Sequence, residues 1–171
     1  AQEAEILESE PVNLSLAGRL MTKRVMGKAA FAHVRDESGD IQIYAQRDSL
    51  PEGIYNGLFK KLDLGDIIGI EGTLFRTRTG ELTVNVTDVR LLVKALRPMP
   101  EKYHGLTDVE TRYRQRYVDL LANQDSREVF RKRARTMASL RQFLEARDYL
   151  EIESPIMQAI PGGANAKPFI T

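Results

Sequence analysis

Cysteine is absent from the 171 residues of this chain, and only two histidines are present. The absence of cysteine excludes disulfide bonds and thiolate metal sites. Two scattered histidines do not form a metal cluster. The sequence also shows no nucleophile paired with a base, no phosphate-binding loop of the Gly-rich Lys-Ser/Thr type and no paired carboxylates at catalytic spacing. We therefore expect neither a catalytic centre nor a metal site within this chain.

Net charge and long apolar runs are also scarce. The 25 basic and 24 acidic residues leave a formal charge of +1, so no global field draws the chain to nucleic acid or to a membrane. No apolar run approaches the roughly 18 residues of a membrane span. The N-terminal segment is acidic, unlike a targeting peptide. These features predict a cytoplasmic protein that has no membrane partner and whose polyanion site, if present, is local.

Residues 12–93 alternate apolar and polar side chains in short runs separated by glycine-containing turns, which predicts strands. The strands are expected at residues 12–16, before a bend at Gly18, and at 30–36, 40–46, 65–75 and 82–92. Apolar residues four apart between Ile54 and Leu62 predict one short helix. Three strands, a helix and two strands is the order of an OB-fold, an all-β barrel that binds oligonucleotides or oligosaccharides. A generic small β-barrel is the alternative.

The composition changes after this region to long helix-forming residues. Pro98 and Pro100 predict a stiff linker over residues 94–106. A short helix is expected around residues 112–117, a long amphipathic helix from a Ser126 cap to about residue 147, and a strand at 149–153 that ends at Pro155. With a lead-in at residues 1–11, this organisation predicts a complete barrel at 12–93 and the truncated start of a larger domain at 107–171.

The sequence ends in a loop of small residues that includes Gly162 and Gly163. Adjacent glycines let a backbone approach a ligand closely, so that its N–H and C=O groups can recognise that ligand. The walls of such a site are expected in chain beyond Thr171.

The second and third predicted strands indicate a nucleic-acid-binding face. Side chains alternate across a strand, so these residues separate into two sets. The inward set is Ala30, Ala32, Val34, Ile41, Ile43 and Ala45, and the outward set is Phe31, His33, Arg35, Gln42, Tyr44 and Gln46. An outward aromatic ring can stack on an unpaired base, and a glutamine amide can hydrogen-bond to a base edge. The alternative for Phe31 is a core position at one end of the barrel.

Basic residues cluster before this hairpin and again in the helical region. The first cluster is Arg19, Lys23, Arg24 and Lys28, and the second is Arg112, Arg114 and Arg116. Beside an outward aromatic ring, the first cluster is expected to contact phosphates, with a solvated edge as the alternative. The second cluster alternates with tyrosines and is expected either to contact RNA or to lie in a subunit interface.

Several blocks of residues resemble class II lysyl-tRNA synthetases of bacterial type. In chain order they are Met26 to Phe31, Arg47 to Pro51, Lys94 to Pro98, Arg112 to Asp119 and Pro161 to Phe169. The long helix, the following strand and Pro155 resemble motif 1 of class II synthetases, with Asp148 where that motif often has glycine. The resemblance implies an anticodon-binding OB-fold followed by the first helices and strand of an α+β catalytic domain.

The same resemblance implies roles for individual residues. Phe31 is expected to stack on an anticodon base, and Arg24, Gln42 and Glu81 are expected to contact the uridine-rich anticodon. Gly162 is expected to contact bound lysine through its backbone. Pro155 is expected in a homodimer interface.

For the parent protein, the resemblance implies lysine–tRNA ligase activity, in which L-lysine is activated with ATP and Mg²⁺ and transferred to tRNA(Lys). Motifs 2 and 3, which carry the ATP-binding arginines of that family, are not in this sequence, so this chain alone is expected to be inactive. Two alternatives stay open, namely an aspartyl- or asparaginyl-type synthetase and a free-standing module that binds single-stranded RNA.

Overall fold

The computed structural model describes residues 10–100, 106–153 and 155. The chain divides into two compact units, one ending at Pro100 and the other beginning at Glu101. In chain order the first unit contains β1 (Asn13–Met26), β2 (Ala29–Arg35), β3 (Asp40–Gln46), helix α1 (Ile54–Gly57), a 3₁₀ turn (Phe59–Lys61), β4 (Ile67–Arg76) and β5 (Leu82–Val93). The second unit contains α2 (Val109–Arg114), α3 (Arg116–Ala122) and α4 (Gln124–Glu145).

The five strands of the first unit form a closed barrel in the order β1-β2-β3-β5-β4. The long β1 closes it, because its first half pairs with β4 and its second half pairs with β2. β3 and β5 pair in parallel, whereas the other neighbours are antiparallel. This is the five-stranded Greek-key barrel expected of an OB-fold, so the predicted fold class is confirmed.

The barrel core follows the predicted alternation. Ala30, Ala32 and Val34 of β2 are buried, whereas Phe31 between them is only half-buried and lies outside the core. The short helical segment between β3 and β4 contributes Tyr55 and Phe59, whose stacked ring centroids lie 5.9 Å apart within the same core. Phe31 is therefore not the core residue that the alternative interpretation required.

β1 is longer than predicted and does not bend at Gly18. Gly18 is buried within the strand, and a β-carbon there would lie 2.6 Å from Val34 Cγ1 and 2.7 Å from the Arg35 carbonyl oxygen. The residue is thus a point of close contact between strands. The irregularity in β1 occurs instead between Leu20 and Thr22, where the register with β2 shifts.

The second unit is held by the buried carboxylate of Asp119. Arg112 Nε of α2 donates to it at 2.8 Å, Asn123 Nδ2 donates at 2.6 Å, and Arg116 pairs with the other oxygen. Burial would raise the pKa of Asp119, but hydrogen bonds from Asn123, Arg112, Arg116 and Ser126 outweigh it and lower the pKa to about 2. The arginines at 112 and 116 therefore have a structural partner within the chain.

Two details of the second unit differ from expectation. The cap position before α4 is occupied by Asn123 instead of Ser126, and Ser126 lies inside the helix with its hydroxyl donating to Asp119 at 3.2 Å. The predicted strand at 149–153 does not form, because no described strand pairs with these residues and a ladder needs a partner. None of the described helices has both the length and the apolar character needed to cross a membrane.

Candidate nucleic-acid interface

Two rows of residues run across neighbouring strands of the barrel. The first row is Arg24, Phe31 and Tyr44, and the second row is Thr22, His33, Gln42, Thr83 and Phe75. Residues opposite one another in paired strands point to the same side of the sheet. The buried residues of β2, namely Ala30, Ala32 and Val34, alternate with the β2 members of these rows, so both rows belong to the outer face of the barrel.

Three aromatic rings form the apolar part of the outer face. The ring centroids of Phe31 and Tyr44 are 4.8 Å apart, with 40° between the ring planes. Those of Tyr44 and Phe75 are 6.3 Å apart in an edge-to-face arrangement. All three residues are half-buried, so the rings are supported by the barrel and keep part of their surface accessible. Supported rings of this kind are stacking platforms for unpaired bases.

Glu81 forms the acidic part of the outer face. It is exposed just before β5, and each of its carboxylate oxygens contacts a different side chain of the second row. Gln42 Nε2 donates to Glu81 Oε2 at 2.8 Å, and His33 Nε2 lies 3.2 Å from Glu81 Oε1. Because a carboxylate only accepts hydrogen bonds, His33 Nε2 carries a proton. Nδ1 of the same ring lies 2.9 Å from Thr22 Oγ1.

The amide of Gln42 is held at both ends. Its nitrogen faces Glu81, because an amide oxygen there would oppose a carboxylate oxygen. Its oxygen therefore faces Thr83, a fully buried residue whose hydroxyl lies 2.8 Å away and donates to it. One N–H of the Gln42 amide has no assigned partner in this arrangement, and it lies beside the Glu81 carboxylate. The outer face thus offers a hydrogen-bond donor next to an acceptor.

The structure brings together the four residues that the sequence singled out for anticodon contacts. Arg24 lies opposite Phe31 in the first row, Gln42 lies in the second row, and Glu81 contacts Gln42. Arg24 is exposed, and within the described part of the chain its guanidinium makes no hydrogen bond or ion pair. Arg35, also predicted to face outward, is bound to Asp40 through two contacts, of which Nη2 to Oδ2 is 2.7 Å.

The remaining predicted cations separate into two kinds. Arg19 Nη1 donates to the carbonyl oxygen of Gly65 at 2.8 Å. Lys23 Nζ donates to the carbonyl oxygens of Lys60, at 3.0 Å, and Leu62. Burial lowers the pKa of Lys23, although the nearby Asp63 and Asp66 carboxylates act in the opposite direction. Lys28, which follows the turn at Gly27, is exposed.

Phe75 and Thr83 belong to the outer face but were not identified from the sequence. Both lie in predicted strands, so their outward direction was accessible from alternation. The contact of Thr83 with Gln42 was not, because the parallel pairing of β5 with β3 joins segments about 40 residues apart in the chain.

In the second unit, the tyrosines of the basic segment and one side of α4 are exposed. Tyr113 and Tyr117 are exposed, and Arg114 pairs with Glu110 at 2.9 Å. One side of α4 carries exposed apolar residues, namely Val129, Met137, Leu140 and Phe143. Pro155 is exposed, and the predicted lysine-contacting Gly162 lies outside the described residues.

Two family models match this chain in succession. Residues 14–92 match the OB-fold nucleic acid binding domain, and residues 108–171 match the class II tRNA synthetases of the D, K and N type. This chain joins an OB-fold nucleic acid binding domain to part of a class II tRNA synthetase domain. The first match contains both rows of the outer face, so the face described above lies on the nucleic-acid-binding domain of this synthetase chain.

Relatives of this synthetase chain include curated lysine–tRNA ligases. It is 58% identical over 171 residues to the lysine–tRNA ligase of Enterobacter sp. (strain 638). It is 57% identical over 171 residues to the lysine–tRNA ligases of Salmonella newport (strain SL254) and Salmonella heidelberg (strain SL476). Each comparison covers 100% of this chain and 34% of the relative, so the chain spans about a third of the length of these relatives.

Proposed function

We propose that this synthetase chain supplies the anticodon-binding domain of a lysine–tRNA ligase, with tRNA(Lys) as its partner. The observation that carries the proposal is the convergence of Phe31, Gln42 and Glu81 on one accessible face, although Gln42 and Glu81 are 39 residues apart in sequence. Single-stranded loops are recognised by aromatic stacking combined with hydrogen bonds to base edges. The outer face supplies both.

The donor and acceptor on the outer face match uracil. Uracil carries an N3–H donor between two carbonyl oxygens, so the free Gln42 N–H donates to one oxygen while the Glu81 carboxylate accepts from N3–H. Each Glu81 oxygen already accepts one hydrogen bond and retains a second lone pair. A cytosine stacked in the same position as this uracil would set its unprotonated N3 against the carboxylate and its N4 amino group against the Gln42 N–H. It could donate from N4 to Glu81 only by shifting along the aromatic platform. The arrangement therefore favours uridine over cytidine.

Arg24 and Lys28 are the cations that we assign to the RNA backbone. Both are exposed, whereas Arg19 and Lys23 are engaged with backbone carbonyls of the barrel. Contacts to phosphate position the RNA and release counterions, so they strengthen binding in a salt-dependent and sequence-independent manner. Replacing either cation with alanine should weaken binding to uridine and cytidine hairpins alike.

We assign the binding of L-lysine, ATP and Mg²⁺ to the catalytic part of the ligase. Charging of tRNA in the cytoplasm is assigned to the whole protein. Backbone contact between Gly162 and lysine stays a prediction from the family resemblance. Among the residues that the structure describes, no group of three or more His, Cys, Asp or Glu could hold a metal ion.

A homodimer that uses α4 is part of the same proposal. Leu140 and Phe143 are each 52% exposed on the apolar side of this helix, and Val129 is 63% exposed. A helix with one apolar side is expected to bury that side against another element. The contribution of Pro155 to the interface stays a prediction.

The proposal is tested by fluorescence anisotropy of the 171-residue chain with two RNA hairpins. One carries a uridine-rich lysine anticodon, and the other has its central uridine replaced by cytidine. We expect a preference for uridine of about 1–3 kcal/mol. Phe31→Ala should weaken binding to both hairpins, because stacking does not depend on the base. Leu92→Ala is the matched control, since Leu92 is an exposed apolar residue at the far end of β5.

Equal binding of the wild-type chain to both hairpins, with affinities that fall together as salt rises, would contradict the proposal. That result would favour a free-standing module that binds single-stranded RNA through phosphates.

A further inference from the structure

We propose that Thr83 and His33 are positioning residues that hold the Gln42 amide and the Glu81 carboxylate in the orientation that reads uridine. The inference rests on the proposed function and extends it to two residues that act through Gln42 and Glu81. The family resemblance assigned a role to neither residue. Their role follows from the hydrogen bonds behind the base-reading groups.

Thr83 fixes the amide of Gln42 from below. Thr83 is fully buried at the β5 position that pairs with Gln42, and its hydroxyl lies 2.8 Å from Gln42 Oε1. The same hydroxyl lies 3.2 Å from the Glu81 backbone carbonyl, but it has one hydrogen to donate. The shorter contact, to an amide oxygen that has no alternative donor among the contacts of the outer face, takes that hydrogen. An amide held in this way presents nitrogen, and not oxygen, on the side of Glu81.

His33 fixes the carboxylate of Glu81 from the side. Its Nε2–H points to Glu81 Oε1 at 3.2 Å, and its Nδ1 lies 2.9 Å from the Thr22 hydroxyl, which sets the ring orientation. Glu81 is close to half exposed, with 48% of its side chain accessible. An exposed glutamate has many accessible rotamers. Hydrogen bonds from His33 and Gln42 to its two oxygens hold the Glu81 carboxylate in one orientation.

The five side chains therefore form a continuous chain of hydrogen bonds, Thr22–His33–Glu81–Gln42–Thr83. The aromatic platform of Phe31 and Tyr44 lies in the neighbouring row. Neither ring makes a hydrogen bond to any of these five side chains. Loss of Thr83 or His33 should thus affect hydrogen bonding to the base and leave stacking intact. This separates a positioning role from a general structural one, because only the former changes the ratio of uridine to cytidine affinity.

The test measures that ratio for the full 171-residue chain with the two hairpins described above. Thr83→Val removes the hydroxyl while keeping the branched shape, and Thr83→Ser keeps the hydroxyl. His33→Leu removes both ring nitrogens, and His33→Gln restores a donor near the position of Nε2. Thr87→Val is the matched control, because Thr87 is an exposed threonine on the same strand whose hydroxyl bonds to the Glu71 carbonyl instead.

We expect Thr83→Val and His33→Leu each to lower the preference for uridine by about fivefold or more, with little change in affinity for the cytidine hairpin. Thr83→Ser and His33→Gln should retain most of the preference, and Thr87→Val all of it. Weakening of both hairpins in parallel by Thr83→Val would overturn the inference, and so would an unchanged ratio. A wild-type chain without a preference for uridine would instead refute the proposed function.

Discussion

The buried carboxylate of Asp66 should be a principal determinant of barrel stability. It lies immediately before β4 and is fully buried. Oδ1 accepts from the backbone N–H of Ala95 at 2.8 Å, and Oδ2 accepts from the backbone N–H of Asp63 at 2.8 Å. Lys94 Nζ lies 3.0 Å from Oδ1 and 2.9 Å from Oδ2. These bonds tie the residues that follow β5 to the loop that precedes β4.

Asp66→Asn replaces one of the two oxygens with a nitrogen that can only donate. Whichever oxygen is replaced, the backbone N–H of either Ala95 or Asp63 loses its acceptor. A buried donor left unsatisfied costs about 1–3 kcal/mol. The ammonium of Lys94 is exposed and regains water, so it adds little. The expected loss lowers the melting temperature of a domain of this size by about 5–20 °C.

The effect of Asp66→Asn should depend on pH. Burial would raise the pKa of Asp66, but hydrogen bonds from Ala95, Lys94 and Asp63 outweigh it and hold the pKa below its usual value of 3.8. The stabilisation is therefore complete above the unfolded pKa, near about 4, and is lost as the pH falls through the lower folded pKa. The difference between wild type and variant should be largest at neutral pH and should shrink in acid.

Thermal unfolding followed by near-UV circular dichroism measures this effect, because the buried Tyr55 of the barrel core contributes to the signal. Asp63→Asn is the matched control. Asp63 pairs with the same lysine, but its side chain is 71% exposed, and exposed pairs contribute little. A variant at Asp66 that melts with the Asp63 variant, at every pH, would refute the assignment of the stabilising role to the buried carboxylate.

Three further substitutions test other parts of the structure. Gly72→Ala should destabilise the barrel by about 3 kcal/mol, because its β-carbon would lie 2.2 Å from the Asn85 carbonyl oxygen. Gly57→Ala is the control in the same melts, because a β-carbon at Gly57 would have no atom within 4 Å apart from its chain neighbours and its own helix backbone. Asp119→Asn should destabilise the helical unit by about 3 kcal/mol, measured at 222 nm. Because the folded pKa is about 2, the contribution of Asp119 should be complete above about pH 4 and lost between there and pH 2. Asp148→Gly should raise the midpoint of the same helical melt, because φ is 62° at Asp148 and a left-handed residue costs about 1 kcal/mol.

Local patterns in the sequence were sufficient to locate the five barrel strands, apart from the length of β1, and to predict the direction of Phe31. The alternation of side chains depends only on neighbouring residues, so the buried Ala30 and Ala32 and the half-buried Phe31 were predictable. The contact between Gln42 and Glu81 was not accessible in this way. It depends on the closed barrel, and only the family resemblance placed Glu81 with the other residues.

The cations of β1 show why local sequence patterns do not predict the contacts of single side chains. Arg19, Lys23 and Arg24 have the same charge and lie in one strand. Arg19 and Lys23 differ from Arg24 because the fold brings carbonyl oxygens of Gly65 and Leu62, 46 and 39 residues away, within their reach. The prediction of Ser126 as a helix cap was wrong for a similar reason, because its hydroxyl donates a hydrogen bond to the buried Asp119. Such partners are set by tertiary structure.

Contact between the outer face of the barrel and the anticodon is tested by nuclear magnetic resonance of the labelled 171-residue chain. Titration with the uridine-rich hairpin should shift the Gln42 side-chain amide signals and the backbone amides of Arg24, Phe31 and Glu81. One of the two Gln42 amide protons should also become protected from exchange. Shifts confined to other surfaces of the barrel, with the Gln42 amide unchanged at saturation, would show that the anticodon does not bind to the outer face.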